Sequence, residues 1–389
     1  MSEHSIWRDP VGRLALAMSF LFCGAGVLMP FLALWLKETR GLSGVEIGAV
    51  ASAAALARIF VGPLIAAWAD GFADRRTPIR IISIAALIGY AAFFNAHGFP
   101  ALLALGFAAA SMTQAVTPLI EGGALRASQY ARIPFGAARA LSSILFMFGN
   151  VVGGALVAQA GPGVVAIWFL TCLLLTALSA WFALKPDPAP QEAAALGFRG
   201  RLRLGAKLFT IRRFTLVLVG AGLIQAAHAF YYNFSVLVWR GQGISDFETG
   251  LLWAFAVIVE IALLAALPQI EKRFGPETLL ILGGAAALVR WSAFALAPIG
   301  WILWPLQALH ALSFAAAHVG ALRIVMREAP EAVQGLAQTL YAAMASGVLI
   351  GLASLGSGYL YDHAGAAGYW AMAAIAALGL VLVATLRQR

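Results

Sequence analysis

Eight ionisable residues interrupt otherwise apolar runs of this chain: Arg58, Glu121 and Arg139 in the first half, and His228, Glu260, Arg290, His310 and His318 in the second. A charge inside an apolar span costs roughly 3 kcal/mol or more, so each is a candidate for binding or proton transfer. Glu121 and Arg139 make the sharpest pair. Glu121 stands about five residues before the end of one apolar stretch, and Arg139 about five after the start of the next. On antiparallel helices rising about 1.5 Å per residue they reach similar depth. There they either grip a polar ligand or join the two helices as a structural salt bridge.

His228 opens a stripe of His228, Tyr231, Tyr232, Ser235 and Trp239, with Gln225 one turn earlier. Spacings of three and four put these on one helix face. Such a face suits a ligand with a ring; the alternative is an aromatic helix contact around one hydrogen-bonded histidine. His310, Ser313, Phe314 and His318 share another face. His310 and His318 lie two turns apart, too far for one metal ion, and no metal site is expected. The titration range of histidine suits proton handling, against the alternative of core histidines satisfied by hydrogen bonds. Arg58 is flanked by Ala54, Ala55 and Gly62, a sparse face that a ligand could reach, unless the guanidinium caps a neighbouring helix end.

The elements that must position these residues are membrane helices. Of 389 residues, 62% are hydrophobic and only 11% charged, where soluble domains carry about a quarter charged residues. Apolar stretches fall near 13–36, 46–69, 79–97, 100–126, 135–160 and 163–184, then near 214–239, 248–270, 278–297, 299–326, 335–360 and 365–386. Each is long enough for one bilayer crossing, and lipid leaves helices as the spanning element, since alternating barrel strands are absent. The expected fold is an all-α membrane protein of twelve helices in two six-helix bundles, residues 1–184 and 214–389, joined by a Pro-containing linker at 185–213 that begins KPDPAPQEAAA. No short apolar core with a small-residue cleavage site precedes Leu14, so the first long run reads as a permanent helix. Gly149, Gly153 and Gly154 are matched in the other half by Gly347, Gly351, Gly356 and Gly358, which fits an internal repeat with close helix approach.

The formal charge is +9. With the N-terminus inside, twenty-one of the 26 lysines and arginines fall on inside segments, only Lys37, Arg40 and Arg240 outside, and Arg58 and Arg290 within helices. That asymmetry orients the chain with both termini and the linker cytoplasmic, in a bacterial inner membrane. It accounts for the basic balance without nucleic acid. Cys23 and Cys172 lie in apolar runs and read as free buried thiols. No metal-ligand helix motif, nucleophile elbow, carbonyl filter or nucleotide loop is present, which argues against an enzyme, a channel or ATP-driven transport.

Several segments carry a likeness to known transporters. QAAHAFYYNFS, LLWAFAVIVEI, LVRW, and LQALH with AAAHVGALR resemble the phenylpropionate permease group of the major facilitator superfamily, most closely through the second half. TPLIEGG followed by PFGAAR resembles the lactose permease pattern, as does the succession Glu260, Arg290 and His310. The resemblance implies that Glu121 and Arg139 bind substrate, with Phe146 near the place of a stacking aromatic. It implies that Glu260, Arg290 and His310 link substrate to proton. Ser313 stands where that family has its proton-carrying glutamate. The run GPLIAAWADGFADRR, with Asp70, Asp74, Arg75 and Arg76, resembles a degenerate form of the superfamily's gating loop.

The expectation is a monomeric, proton-coupled symporter importing a small organic solute, driven by the proton gradient without a cofactor. The substrate set is Arg58, Glu121, Arg139, Phe146, His228, Tyr231 and Tyr232; the coupling set is Glu260, Arg290, His310 and His318. An aromatic carboxylate such as phenylpropionate heads the substrates, with sugars or nucleosides next. Export of drugs or metabolites is the alternative direction.

Overall fold

The computed structural model describes residues 9–69, 71–130, 133–187 and 206–388. Asp70, Arg132 and most of the central linker lie outside the described residues. Among the described residues the chain is helical throughout its long elements. In the first half these are α1 (Pro10–Arg40), α2 (Gly44–Ala69), α3 (Arg76–Asn95), α4 (Phe99–Ala127), α5 (Phe135–Ala160) and α6 (Val164–Ala183). The second half holds α7 (Arg212–Gly241), α8 (Asp246–Ile270), α9 (Pro276–Ala295), α10 (Gly300–Glu328), α11 (334–364) and α12 (Tyr369–Ala384). Ten described stretches are long and apolar enough to cross a membrane, the last of them, Gln334–Ala384, containing both α11 and α12. The 26-residue α2 completes the twelve. The chain is a multi-pass membrane protein.

Contacts divide the chain into two compact units. One comprises Met1–Leu42, Leu56–Gln191 and Ser245–Ala254; the other comprises Ser43–Ala55, Glu192–Ile244 and Phe255–Arg389. In the first unit α1 packs on α4, α5 and α6, and α3 packs on α4 and α6. In the second, α7 packs on α10, α11 and α12, and α9 packs on α10 and α12. The two patterns are the same after a shift of six helices, as an internal repeat requires.

Glycine sets the closest approaches. A Cβ on Gly149 of α5 would lie 2.3 Å from the Cys23 carbonyl of α1, and one on Gly358 of α11 would lie 2.2 Å from the Gly44 carbonyl. Both positions can hold only glycine without a backbone shift. Beside the second contact, the Asp362 carboxylate accepts the backbone N–H groups of Gly44 and Val45 at 2.9 Å each. It satisfies donors that the start of α2 leaves open.

Local breaks mark the second unit. α7 is interrupted at Ala227 and His228, between Arg212–Ala226 and Ala229–Gly241. There the His228 ring Nδ1 meets the carbonyls of Ile224 (3.2 Å) and Gln225 (3.1 Å). α10 widens into a π-helix over Ala311–Ala316, a distortion that is frequent at functional sites. It stacks His310 on Phe314 at 5.2 Å, while Phe314 stacks on His318 at 6.3 Å.

Candidate functional site

Each unit carries a polar cluster among its helices. In the first unit, Glu121 of α4 pairs with Arg139 of α5 at 3.6 Å. Arg139 also donates to Ser143 Oγ at 3.1 Å, and its guanidinium lies 4.6 Å from the centre of the Phe22 ring on α1. Arg58 of α2 donates twice to one acceptor, Gln114 Oε1, from Nε at 3.2 Å and from Nη2 at 2.7 Å. Glu121 is close enough to act electrostatically on Arg58 as well. Glu121 thus pairs with Arg139 and adds to the field at Arg58. The pair remains accessible: the Arg139 side chain is 43% exposed and that of Glu121 33%. Phe146 follows Arg139 and Ser143 on the same face of α5, but the ring that meets Arg139 is Phe22.

Gln114, Ser143 and Phe22 were not singled out by the sequence. Gln114 lies seven residues before Glu121, two turns along the same face, and Ser143 four residues after Arg139. Those spacings were available signals; nothing in the sequence pointed to Phe22.

In the second unit the centre of the cluster is shut away from solvent, while Glu260 at its edge keeps 22% of its side chain exposed. Arg290 of α9 is fully buried, as is His228 of α7. Arg290 donates from Nη1 to His310 Nδ1 at 2.9 Å and from Nη2 to Gln307 Oε1 at 2.5 Å. Gln307 Nε2 in turn donates to the Tyr231 hydroxyl at 2.9 Å. The Arg290 guanidinium sits between rings, 4.5 Å from the centres of Tyr231 and Trp291 and 5.5 Å from Phe294. Cation–π contacts of this kind are worth about 2 kcal/mol when desolvated.

These bonds fix the histidine tautomers. Because Arg290 is always a donor, His310 Nδ1 accepts and its proton sits on Nε2. That Nε2 lies 3.9 Å from the Glu260 carboxylate of α8, longer than a hydrogen bond but within ion-pair range. Glu260, His310 and Arg290 thus line up through one imidazole. His228 has the opposite tautomer: its Nδ1 donates to carbonyls, leaving Nε2 to accept from Ser313 Oγ at 3.3 Å.

The structure brings His228, Tyr231, Arg290 and His310 together, with Tyr232 beside them, its ring 5.7 Å from that of His228 and 6.4 Å from that of His310. His228 and Tyr231 are buried and committed to this network. His318 lies further along α10, 3.2 Å from the Tyr341 hydroxyl. Gln307, Trp291 and Phe294 also belong to the cluster and were not foreseen, although Gln307 precedes His310 by three residues.

The loop between α2 and α3 is pinned to the end of α6. Asp74 accepts from the Arg76 backbone at 3.0 Å, from Arg76 Nε at 2.5 Å and from the Asp187 backbone at 3.2 Å. Arg75 N–H donates to the Asp187 carbonyl at 2.9 Å, and Arg126 pairs with the Asp187 carboxylate at 2.9 Å. Burial acts to raise the Asp74 carboxyl, but the hydrogen bonds from Arg76 and Asp187 outweigh it and hold it below the usual carboxylate range.

A family model described as MFS_1 like family matches residues 12–372. The chain belongs to the MFS_1 like family of transporters. It is therefore a transporter and not an enzyme. A relative in Escherichia coli (strain K12), a probable 3-phenylpropionic acid transporter, is 28% identical over 369 residues, covering 93% of this chain and 94% of that protein. The maltose permease of Geobacillus stearothermophilus is 28% identical over 349 residues, covering 88% and 86%. Among solved structures, the fold matches a mutant form of the nucleoside transporter NupG with a TM-score of 0.82, at 17% identity over 98% of this chain and 99% of that one.

Proposed function

We propose that this transporter is a proton-coupled symporter importing an aromatic carboxylate such as a phenylpropionate across the bacterial inner membrane. The observation that carries this reading is the first-unit cluster, where Arg139 pairs with Glu121 over the Phe22 ring and a second guanidinium, Arg58, is held by the neutral Gln114 amide, so that two cations share one acid. An accessible site with excess positive charge attracts an anion, and guanidinium grips a carboxylate through paired N–H groups. A ring such as Phe22 adds a stacking surface for an aromatic ligand. The name of the Escherichia coli relative supports the same choice.

The second-unit line of Glu260, His310 and Arg290 is the coupling element of this reading. A proton on Glu260 would cancel its pull on the imidazole N–H and so change the charge balance around Arg290. The gradient supplies the energy, and no cofactor is required. Both termini lie inside, following the basic residues, and the chain acts as a monomer in lipid.

A sugar or a nucleoside is the second reading. The maltose permease and nucleoside transporter names favour it, and Glu121 with Gln114 could accept and donate hydrogen bonds to hydroxyls. Thermal-shift titration of the purified protein separates the two. Stabilisation by 3-phenylpropionate, with none by 3-phenylpropanol, maltose or uridine, is the expected result. Stabilisation by maltose or uridine alone would overturn the carboxylate assignment. Uptake in vesicles loaded at a set pH fixes the direction, and net export against an inward proton gradient would reverse the import assignment.

A further inference from the structure

Arg58 is held in an unusual way for a guanidinium at membrane depth. Its Nε and one Nη2 hydrogen converge on the single oxygen of Gln114. These two N–H groups form one edge of the planar fork. The other edge, with Nη1 and the second Nη2 hydrogen, has no hydrogen-bond acceptor among the described residues. Gln114 is a neutral amide, so it fixes the orientation of the fork without cancelling its charge. Glu121, the nearby acid, is already engaged by Arg139 at 3.6 Å.

We infer that Gln114 is a specificity-determining residue that reserves Arg58 for the carboxylate of an anionic substrate. This rests on the reading of the first-unit cluster as the binding site for an organic carboxylate. A planar carboxylate fits the open edge of Arg58 end-on, making two charge-assisted bonds. With an acid in place of Gln114, the protein would supply that carboxylate itself. The excess positive charge of the cluster would fall to zero, and the site would lose its reason to prefer an anion.

The test compares purified Gln114→Glu, Gln114→Met and native protein, with 3-phenylpropionate and its uncharged analogue 3-phenylpropanamide as probes. Native protein binds the acid in preference to the amide. Gln114→Glu is expected to weaken binding of the acid by about tenfold or more while leaving the amide within about threefold, so that the preference collapses. Gln114→Met, uncharged and of similar length, keeps the preference. Arg58→Gln makes binding of the acid indifferent to Gln114→Glu, because the two positions then no longer couple.

If native protein binds the acid and Gln114→Glu binds it equally well, the reservation of Arg58 is wrong while the carboxylate reading stands. If Gln114→Met loses the acid as fully as Gln114→Glu, Gln114 acts by contact and not by charge, which also overturns the inference. If native protein shows no binding of the acid, the carboxylate reading itself fails and takes this inference with it. Should Gln114→Glu not fold, Arg58→Gln decides by itself: it is expected to weaken the acid about tenfold or more and leave the amide within about threefold, and an equal loss of both overturns the inference.

Discussion

The two polar clusters use the same residue types in opposite ways. Arg139 is 43% exposed and its acid partner stands at 3.6 Å, with only Ser143 and a ring to fix it further. Arg290 is fully buried, and its two terminal nitrogens are bound to His310 and Gln307 between three aromatic rings. An exposed pair at loose distance exchanges a partner for a ligand at little cost, because each group has few contacts to give up. A buried cation with satisfied neighbours cannot do so without stranding them. What it can respond to is a change of proton number nearby. On the proposed function, the contrast suits the first cluster to binding and the second to coupling.

The same substitution in both clusters breaks the comparison most sharply. Arg290→Ala leaves His310 Nδ1 and Gln307 Oε1 without their donor and opens a cavity among Tyr231, Trp291 and Phe294. A loss of about 3 kcal/mol or more is expected, read as a large fall in the thermal unfolding midpoint. Arg139→Ala removes an exposed pair worth about 0–1 kcal/mol, so its midpoint stays near the native value. Equal destabilisation by the two would erase the distinction between the clusters.

A second outcome sharpens it. Arg139→Ala should abolish binding of 3-phenylpropionate in folded protein, whereas Glu121→Gln, which removes the acid that competes for Arg139, should leave it intact or tighter. The charge-swapped double variant, Glu121→Arg with Arg139→Glu, should not restore it, because a ligand reads each charge separately. A swap that restores both stability and transport would make the pair a structural bridge and move the binding site elsewhere.

Much of this was legible in the sequence. Twelve apolar runs of bilayer length predict the helices, and the depths of Glu121 and Arg139 predict their meeting. Glu260, Arg290 and His310, which the resemblance marks, lie along one line through the His310 imidazole. The departures have physical reasons. Gln114 carries no charge, so it raises no flag inside an apolar run, although its spacing to Glu121 places it on the same face. Phe22 is one of 24 phenylalanines, and no periodicity selects the ring that meets a guanidinium from another helix. The break in α7 at Ala227–His228 and the π-helix at Ala311–Ala316 have neither proline nor glycine to announce them. At the first, His228 Nδ1 turns to the Ile224 and Gln225 carbonyls, and at the second the Phe314 carbonyl accepts from Gln225 Nε2 at 3.1 Å. The stripe from His228 to Trp239 suggests a ligand face by spacing, yet packing buries His228 and Tyr231 completely or nearly so.

The central claim is that binding and proton coupling reside in separate clusters, and Glu260→Gln tests it most directly. Exchange needs only the loaded carrier to reorient, whereas accumulation needs proton uptake and release. Vesicles carrying native protein should alkalinise a lightly buffered medium when 3-phenylpropionate is added. Those carrying Glu260→Gln should exchange labelled for unlabelled substrate at close to the native rate, with no alkalinisation. If the Glu260→Gln protein takes up protons with substrate as the native protein does, coupling does not run through Glu260 and the assignment of the buried cluster is contradicted.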